Sequence, residues 1–204
     1  MRLQRLAPIL AALVLLPGFA TPARAQYRRP YPPMRRYEHA YEFNGYLTFN
    51  EFQNKAGLDD DFGAGFRFGY LYTPHHEIEF LLDGISTTGT VLDFSTIPPT
   101  AFRSNDDLTN FQVAYVYNFT KRDVVPYITA GLGFLHTHDN LLGSETDGVL
   151  GLGAGVRFFL GRALFARFEA RGNFFSGKGT VYNDGEDFRN NVYSFGIGWR
   201  IGAP

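Results

Sequence analysis

The chain has 204 residues, enough for one domain of ordinary size. A formal net charge of −1 argues against a nucleic-acid partner, and the absence of cysteine excludes disulfides and thiolate metal sites. Aromatic residues make up 17%, with 21 Phe and 12 Tyr beside 23 Gly, a mixture that favours an all-β fold.

The N-terminus has the layout of a secretory signal peptide over residues 1–25. Arg2 and Arg5 precede the apolar run Leu6 to Leu16, Pro17-Gly18 breaks it, and Ala23-Arg24-Ala25 offers a small-x-small cleavage site. The mature chain is expected to begin at Gln26. No later apolar run reaches the roughly 18–20 residues that a spanning helix needs. Residues 26–39, with Pro30, Pro32, Pro33 and four arginines, are expected to form an extended periplasmic tail rather than a packed element.

Alternation begins at Ala40 and predicts eight strands, at 40–53, 61–73, 77–87, 108–120, 124–137, 148–160, 163–175 and 190–202. In the second, Phe62, Ala64, Phe66, Phe68, Tyr70 and Tyr72 share one face, and Gly63, Gly65, Arg67 and Gly69 the other. In the fourth, Phe111, Val113, Tyr115, Tyr117 and Phe119 oppose Gln112, Ala114, Val116 and Asn118. The sixth and seventh give the clearest hairpin, GVLGLGAGVRFFLG followed, across Gly161-Arg162, by ALFARFEARGNFF. There Leu150, Leu152, Ala154, Val156, Phe158, Phe168 and Ala170 lie on one parity. Gly151, Gly153, Gly155, Arg157, Arg167, Glu169, Arg171 and Asn173 lie on the other. The last strand sets Tyr193, Phe195, Ile197, Trp199 and Ile201 against Ser194, Gly196, Gly198 and Arg200.

Short breaks at 74–76, 121–123 and 161–162 alternate with longer ones at 54–60, 88–107, 138–147 and 176–189. Short turns at one end and long loops at the other are the construction of an outer-membrane barrel, and an even strand number returns both termini to the short-turn, periplasmic side. The long loops hold thirteen acids against four bases. Glu77 counts here with the solvated charges of the short turns. The charges within strand bodies share the glycine parity: Arg67, Arg157, Arg167, Arg171 and Arg200 with Glu42, Glu79, Asp83 and Glu169. A lipid-facing Arg or Lys at the bilayer midplane costs about 2–4 kcal/mol, so this parity is the lumen. A soluble barrel of the opposite sense would have to house the aromatic residues of eight strands in an interior that barely holds ordinary side chains. The fold expected is therefore all-β, an eight-stranded antiparallel up-and-down transmembrane barrel over residues 40–204.

On the signal peptide, strand count, loop alternation and the aromatic last strand YSFGIGWRI, the chain resembles the small eight-stranded bacterial outer-membrane barrels, the group of outer-membrane proteins A, X and W. The resemblance implies insertion by the barrel-assembly machinery, which reads a terminal aromatic strand. Here Arg200, Ile201, Gly202, Ala203 and Pro204 follow Trp199, a departure from that ending.

The nine lumen charges, Glu42, Arg67, Glu79, Asp83, Arg157, Arg167, Glu169, Arg171 and Arg200, are expected to pair with one another and plug the barrel. His136 and His138 share a face, but two histidines without a third ligand do not make a metal site. His75-His76 is expected to be solvated in a turn. The lipid A deacylases on this scaffold use a His-x-Ser pair; here the Ser position is His138, so that nucleophile is missing. Gly151 to Gly155 lies inside a strand and is no phosphate loop. The clusters Asp59-Asp60-Asp61 and Asn183 to Asp187 lack calcium-loop spacing. No catalytic, cofactor or metal residues are assigned, and no cofactor is expected. The expected protein is a monomer of the Gram-negative outer membrane, with lipid and lipopolysaccharide as its partners. Its role is non-enzymatic, in envelope integrity or in surface contact through its loops. The alternatives are a narrow channel for ions or small apolar solutes and, third, a lipid-modifying enzyme.

Overall fold

In a computed structural model the described residues are 39–53, 58–93, 100–120, 123–139, 143–161, 163–176 and 187–202. The expectations for the signal peptide, and for the tail up to residue 38, lie outside them. Eight antiparallel strands close into a barrel in chain order: β1 (Ala40–Phe52), β2 (Asp61–Leu71), β3 (His76–Asp93), β4 (Thr100–Asn118), β5 (Val124–Asp139), β6 (Gly143–Phe159), β7 (Leu164–Ser176) and β8 (Asp187–Ile201). Closure comes from β8 pairing with β1, from Tyr41↔Ile201 to Phe52↔Asn190. Every strand edge is thereby used, which lipid demands because it offers no partner for a free backbone group.

Side-chain parity decides which face is which. Phe66, Phe168 and Phe195 are 49%, 48% and 44% exposed on the outer wall, while Arg157 is fully enclosed. On β5 the outward residues Val124, Ile128, Ala130, Leu132 and Phe134 cover the length a tilted strand needs to cross hydrocarbon, about 9–11 residues. Above Phe134 the same face turns polar at His136 and His138. The neighbouring strands change at the same height, Phe111 giving way to Thr109 and Asp107, and Gly148 to Thr146 and Ser144. At the short-turn end Tyr41, Tyr70, Tyr72, Tyr115 and Tyr117 form an aromatic belt. His75 and His76 belong to it rather than to solvent: His75 Nδ1 lies 2.6 Å from the Asn118 carbonyl, and His76 stacks on Tyr72.

Two stretches expected to be loops are largely strand. β3 and β4 stay paired out to Asp93↔Thr100, and β5 and β6 out to Asp139↔Gly143. In the β3–β4 extension the apolar residues are adjacent in sequence, Val91-Leu92 and Ala101-Phe102, so no period-two alternation announced it. Asp106 and Asp147, counted above as loop acids, therefore keep the inward parity and are buried. Residues 58–60 fold back over the mouth. Asp60 accepts the Phe52 N–H at 3.0 Å, and the Asp59 N–H donates to the Thr88 carbonyl at 3.0 Å. This turns Leu58 inward, against a cap of Phe52, Ile85, Leu108, Leu135, Val149, Phe175 and Phe188.

Candidate functional site

The lumen changes chemistry with height. Ala40, Leu71, Val125 and Phe165 fill the short-turn end. Above them Arg200 Nε donates to Glu42 Oε1 at 2.6 Å. Glu42, Glu77 and Glu79 bring carboxylate oxygens within 4.8 Å of one another. The Arg157 guanidinium lies among them, 2.8 Å from Glu77, 2.9 Å from Glu79 and 3.4 Å from Glu42. Three clustered carboxylates could hold a metal ion by spacing alone; here an arginine supplies the positive charge.

Arg167 grips the other side of Glu79, with Nη2 2.9 Å from Oε2 and Nη1 on Oε1, and also reaches Glu169 at 2.7 Å. Arg67 holds Glu169 in a two-pronged fork, at 2.9 and 3.0 Å, and Arg171 pairs with the same carboxylate at 2.8 Å. Contacts thus run without a break from Arg200 through Glu42, Arg157, Glu79, Arg167 and Glu169 to Arg171. Asp83 joins through a neutral group: the Tyr46 hydroxyl donates to it at 3.0 Å, Asn110 Nδ2 donates at 3.2 Å, and the Tyr46 ring lies 4.2 Å beneath the Arg67 guanidinium.

Glu77 departs from the expected solvated turn charge: it is fully buried on the lumen face, because β3 starts at His76 and its parity carries Glu77 inward. With it, the five lumen arginines face five carboxylates, Glu42, Glu77, Glu79, Asp83 and Glu169. The aromatic and amide partners were also missed. Tyr127 Oη accepts from Arg167 Nε at 2.6 Å and donates to Glu169 Oε2 at 2.7 Å. Gln112 Nε2 donates to Asn110 and Asn173, both at 3.0 Å, while its Oε1 accepts from Arg171 Nη1. Lumen parity places Gln112 and Asn173 inside from the sequence alone, but being uncharged they and the tyrosines stand outside the expected charge network. Glycine makes the space: a Cβ on Gly65 would stand 2.6 Å from Tyr46 Oη and 2.7 Å from Asp83 Cβ. Replacing Tyr127 with Phe should lower stability by about 1–3 kcal/mol, since it strips a buried arginine and a buried carboxylate of one partner each. The urea midpoint of the refolded barrel measures it.

The apolar cap was likewise outside expectation. Val149 and Phe175 continue the parity of Gly151 and Asn173, so apolar side chains replace polar ones toward the mouth. Between cap and charges a void of about 10 Å³ remains, lined in part by Asp83, Asn110, Asn173 and Asn190, room for about one water.

His136 and His138 lie on the outer wall, each bonded across the β5–β6 hairpin: His136 Nδ1 to Thr146 Oγ1 at 2.9 Å, His138 Nδ1 to Ser144 Oγ at 2.7 Å. The second is a Ser–His contact invisible in the sequence, since Ser144 pairs with His138 only through hairpin register. The acid opposite His138 on β4, Asp107, accepts from Ser86 Oγ instead. Two ring–hydroxyl pairs in succession are a cross-strand polar ladder. Asp59 and Asp60 spend their carboxylates on Thr88 and on the Phe52 N–H, as loop caps. The 183–186 segment lies outside the described residues.

A closed eight-stranded barrel, apolar outside and charged within, narrows the comparison to membrane barrels. The family model described as the outer membrane protein beta-barrel domain matches residues 11–200. The chain belongs to this family. It is a protein of the cell outer membrane, and its outward aromatic face meets lipid. Among solved structures it is similar to Neisserial surface protein A, at 18% identity over 81% of this chain and 100% of that one, with a TM-score of 0.59. It is also similar to OprG of Pseudomonas aeruginosa, at 12% identity over 83% and 99%, TM-score 0.54. The N-terminal barrel domain of OprF from the same organism matches at 18% over 81% and 99%, TM-score 0.51. No curated protein sequence matches it. Identities this low establish the shared fold and leave activity to be argued from the site.

Proposed function

We propose that this family member is a non-enzymatic, monomeric element of the outer membrane whose lumen is plugged by its own charges. Its contribution is to envelope integrity or to surface contact through the hairpins at its long-loop end. In this reading residues 1–25 are the export signal and 26–39 a periplasmic tail. Both termini face the periplasm, the barrel-assembly machinery inserts the chain, and lipopolysaccharide surrounds the outward end. The observation that carries the plug is the unbroken run of ion pairs from Arg200 to Arg171, below an apolar cap. An ion crossing this lumen would have to displace buried pairs whose desolvated partners have nowhere else to go. Planar-bilayer recordings on the purified protein are expected to show no conductance steps above background. Regular steps abolished by Glu79→Gln would establish a channel instead. One feature favours the second reading, a passage for small apolar solutes: Val149 and Phe175 line both the interior void and an apolar notch in the outer wall. Uptake of such a solute into proteoliposomes at a rate above protein-free vesicles would support that reading against the plug.

A further inference from the structure

The wall is open to its outer side at the long-hairpin end. Among the described residues the β6–β7 ladder reaches Val149↔Phe175, while β5 and β6 stay paired to Asp139↔Gly143, so Gly143–Gly148 of β6 pairs there with β5. A notch of about 740 Å³ opens there, a volume ordinary for a ligand pocket. Phe111, Leu132, Phe134 and Leu150 wall one bank, Phe174 the other, and Val149, Phe175 and Phe188 reach its floor. Gly148 stands at the centre, on the outward parity, and a Cβ there would meet nothing within 4 Å.

The rim directly above is polar and partly cationic. On the β6 bank, Thr146 pairs in register with His136 and is bonded to its ring. On the β7 bank, Phe174 pairs with Arg189 of β8, whose guanidinium lies over the Phe174 ring, 5.7 Å from its centroid. Arg189 is exposed and carries a charge on the lipid-facing parity; its Nε donates to Asn191 Oδ1 at 2.8 Å. A guanidinium is a planar fork that suits phosphate. Two acids flank this rim: Asp107 on β4, beyond the histidines from Arg189 and engaged by Ser86, and Glu51 on β1, on the far side of Arg189 from the notch, which accepts from Asn191 at 3.5 Å. The rim falls where the outward residues change from apolar to polar, so a ligand here has its chain in hydrocarbon and its head at the interface.

We propose that this notch seats the phosphorylated acyl glycolipid of the outer leaflet. One acyl chain lies between the β6 and β7 banks, over Gly148. A phosphate rests between Arg189 and the His136–Thr146 pair. Charge complementarity selects the headgroup and the missing side chain of Gly148 admits the tail. The assignment rests on the outer-membrane location and on the outward orientation of the long hairpins, and is independent of whether the lumen is closed.

Native mass spectrometry of the full mature chain in detergent tests it, with bisphosphorylated hexa-acyl lipid A and its dephosphorylated form as probes. Heat-modified gel mobility confirms that each variant is folded. Wild type should retain one bisphosphorylated lipid per barrel and prefer it to the dephosphorylated form. Gly148→Leu fills the notch without a clash and should lose the adduct. Arg189→Gln should bind the bisphosphorylated form about tenfold more weakly, the worth of a charge-assisted hydrogen bond. Gly45→Leu is the control: Gly45 faces outward on β1, its Cβ would also meet nothing within 4 Å, and it should bind as wild type. Wild-type retention by Gly148→Leu, equal loss in Gly45→Leu, or equal binding of the two lipid forms by wild type would each overturn the proposal.

Discussion

Replacing Glu169 with glutamine is expected to cost the barrel about 3–5 kcal/mol, the range for removing one partner of a buried ion pair. Glu169 is the hub of the upper lumen: Arg67, Arg167 and Arg171 all pair with it, and Tyr127 donates to it. A neutral amide would leave three guanidinium groups short of negative charge in a space without bulk water. Glu77 gives the contrast. Its carboxylate contacts Arg157 at 2.8 Å, and Arg157 retains Glu79 and Glu42 when Glu77 is neutralised. Glu77→Gln should therefore cost about 1 kcal/mol, the worth of an ordinary hydrogen bond. Adding Arg67→Met to Glu169→Gln should recover part of the loss, because it restores the balance of charge. Urea unfolding of protein refolded into lipid vesicles, followed by fluorescence of the single tryptophan, Trp199, measures all three. Equal costs for Glu169→Gln and Glu77→Gln would contradict the hub.

Leu152→Arg should destabilise the folded barrel by about 2–4 kcal/mol, as a charge at the lipid-facing midplane does. Leu152 is half exposed on the outer wall, midway along the apolar part of β6 between Phe158 and Gly148. His136→Arg, on the same wall but above the apolar boundary, should cost only about 0–1 kcal/mol. The pair locates the membrane edge, since only position relative to hydrocarbon separates two arginines on adjacent strands. Similar costs at both positions would move the boundary above His136, and with it the polar rim of the notch.

Much of this molecule is written in alternation. Phe66, Phe168 and Phe195 outside and Arg67, Arg167 and Glu169 inside follow from period two, because one strand residue fixes the face of every other and a bilayer rejects charge on one of the two faces. Strand number and class follow for the same reason, once turns break the pattern. The strand ends were less legible: Val91-Leu92 and Ala101-Phe102 break period two, so nothing in the pattern marked where β3 and β4 continued.

What the sequence by itself determined is the face of each side chain within the strand bodies that alternation marked, and the sign of its charge. Which charge meets which was decided by the closed sheet. Arg67 and Glu169 are 102 residues apart and Arg200 and Glu42 are 158 apart, brought together only by the stagger of eight registers around the barrel. The same holds for the Ser144–His138 contact. Parity is a local property of one strand, whereas register and closure belong to all eight at once.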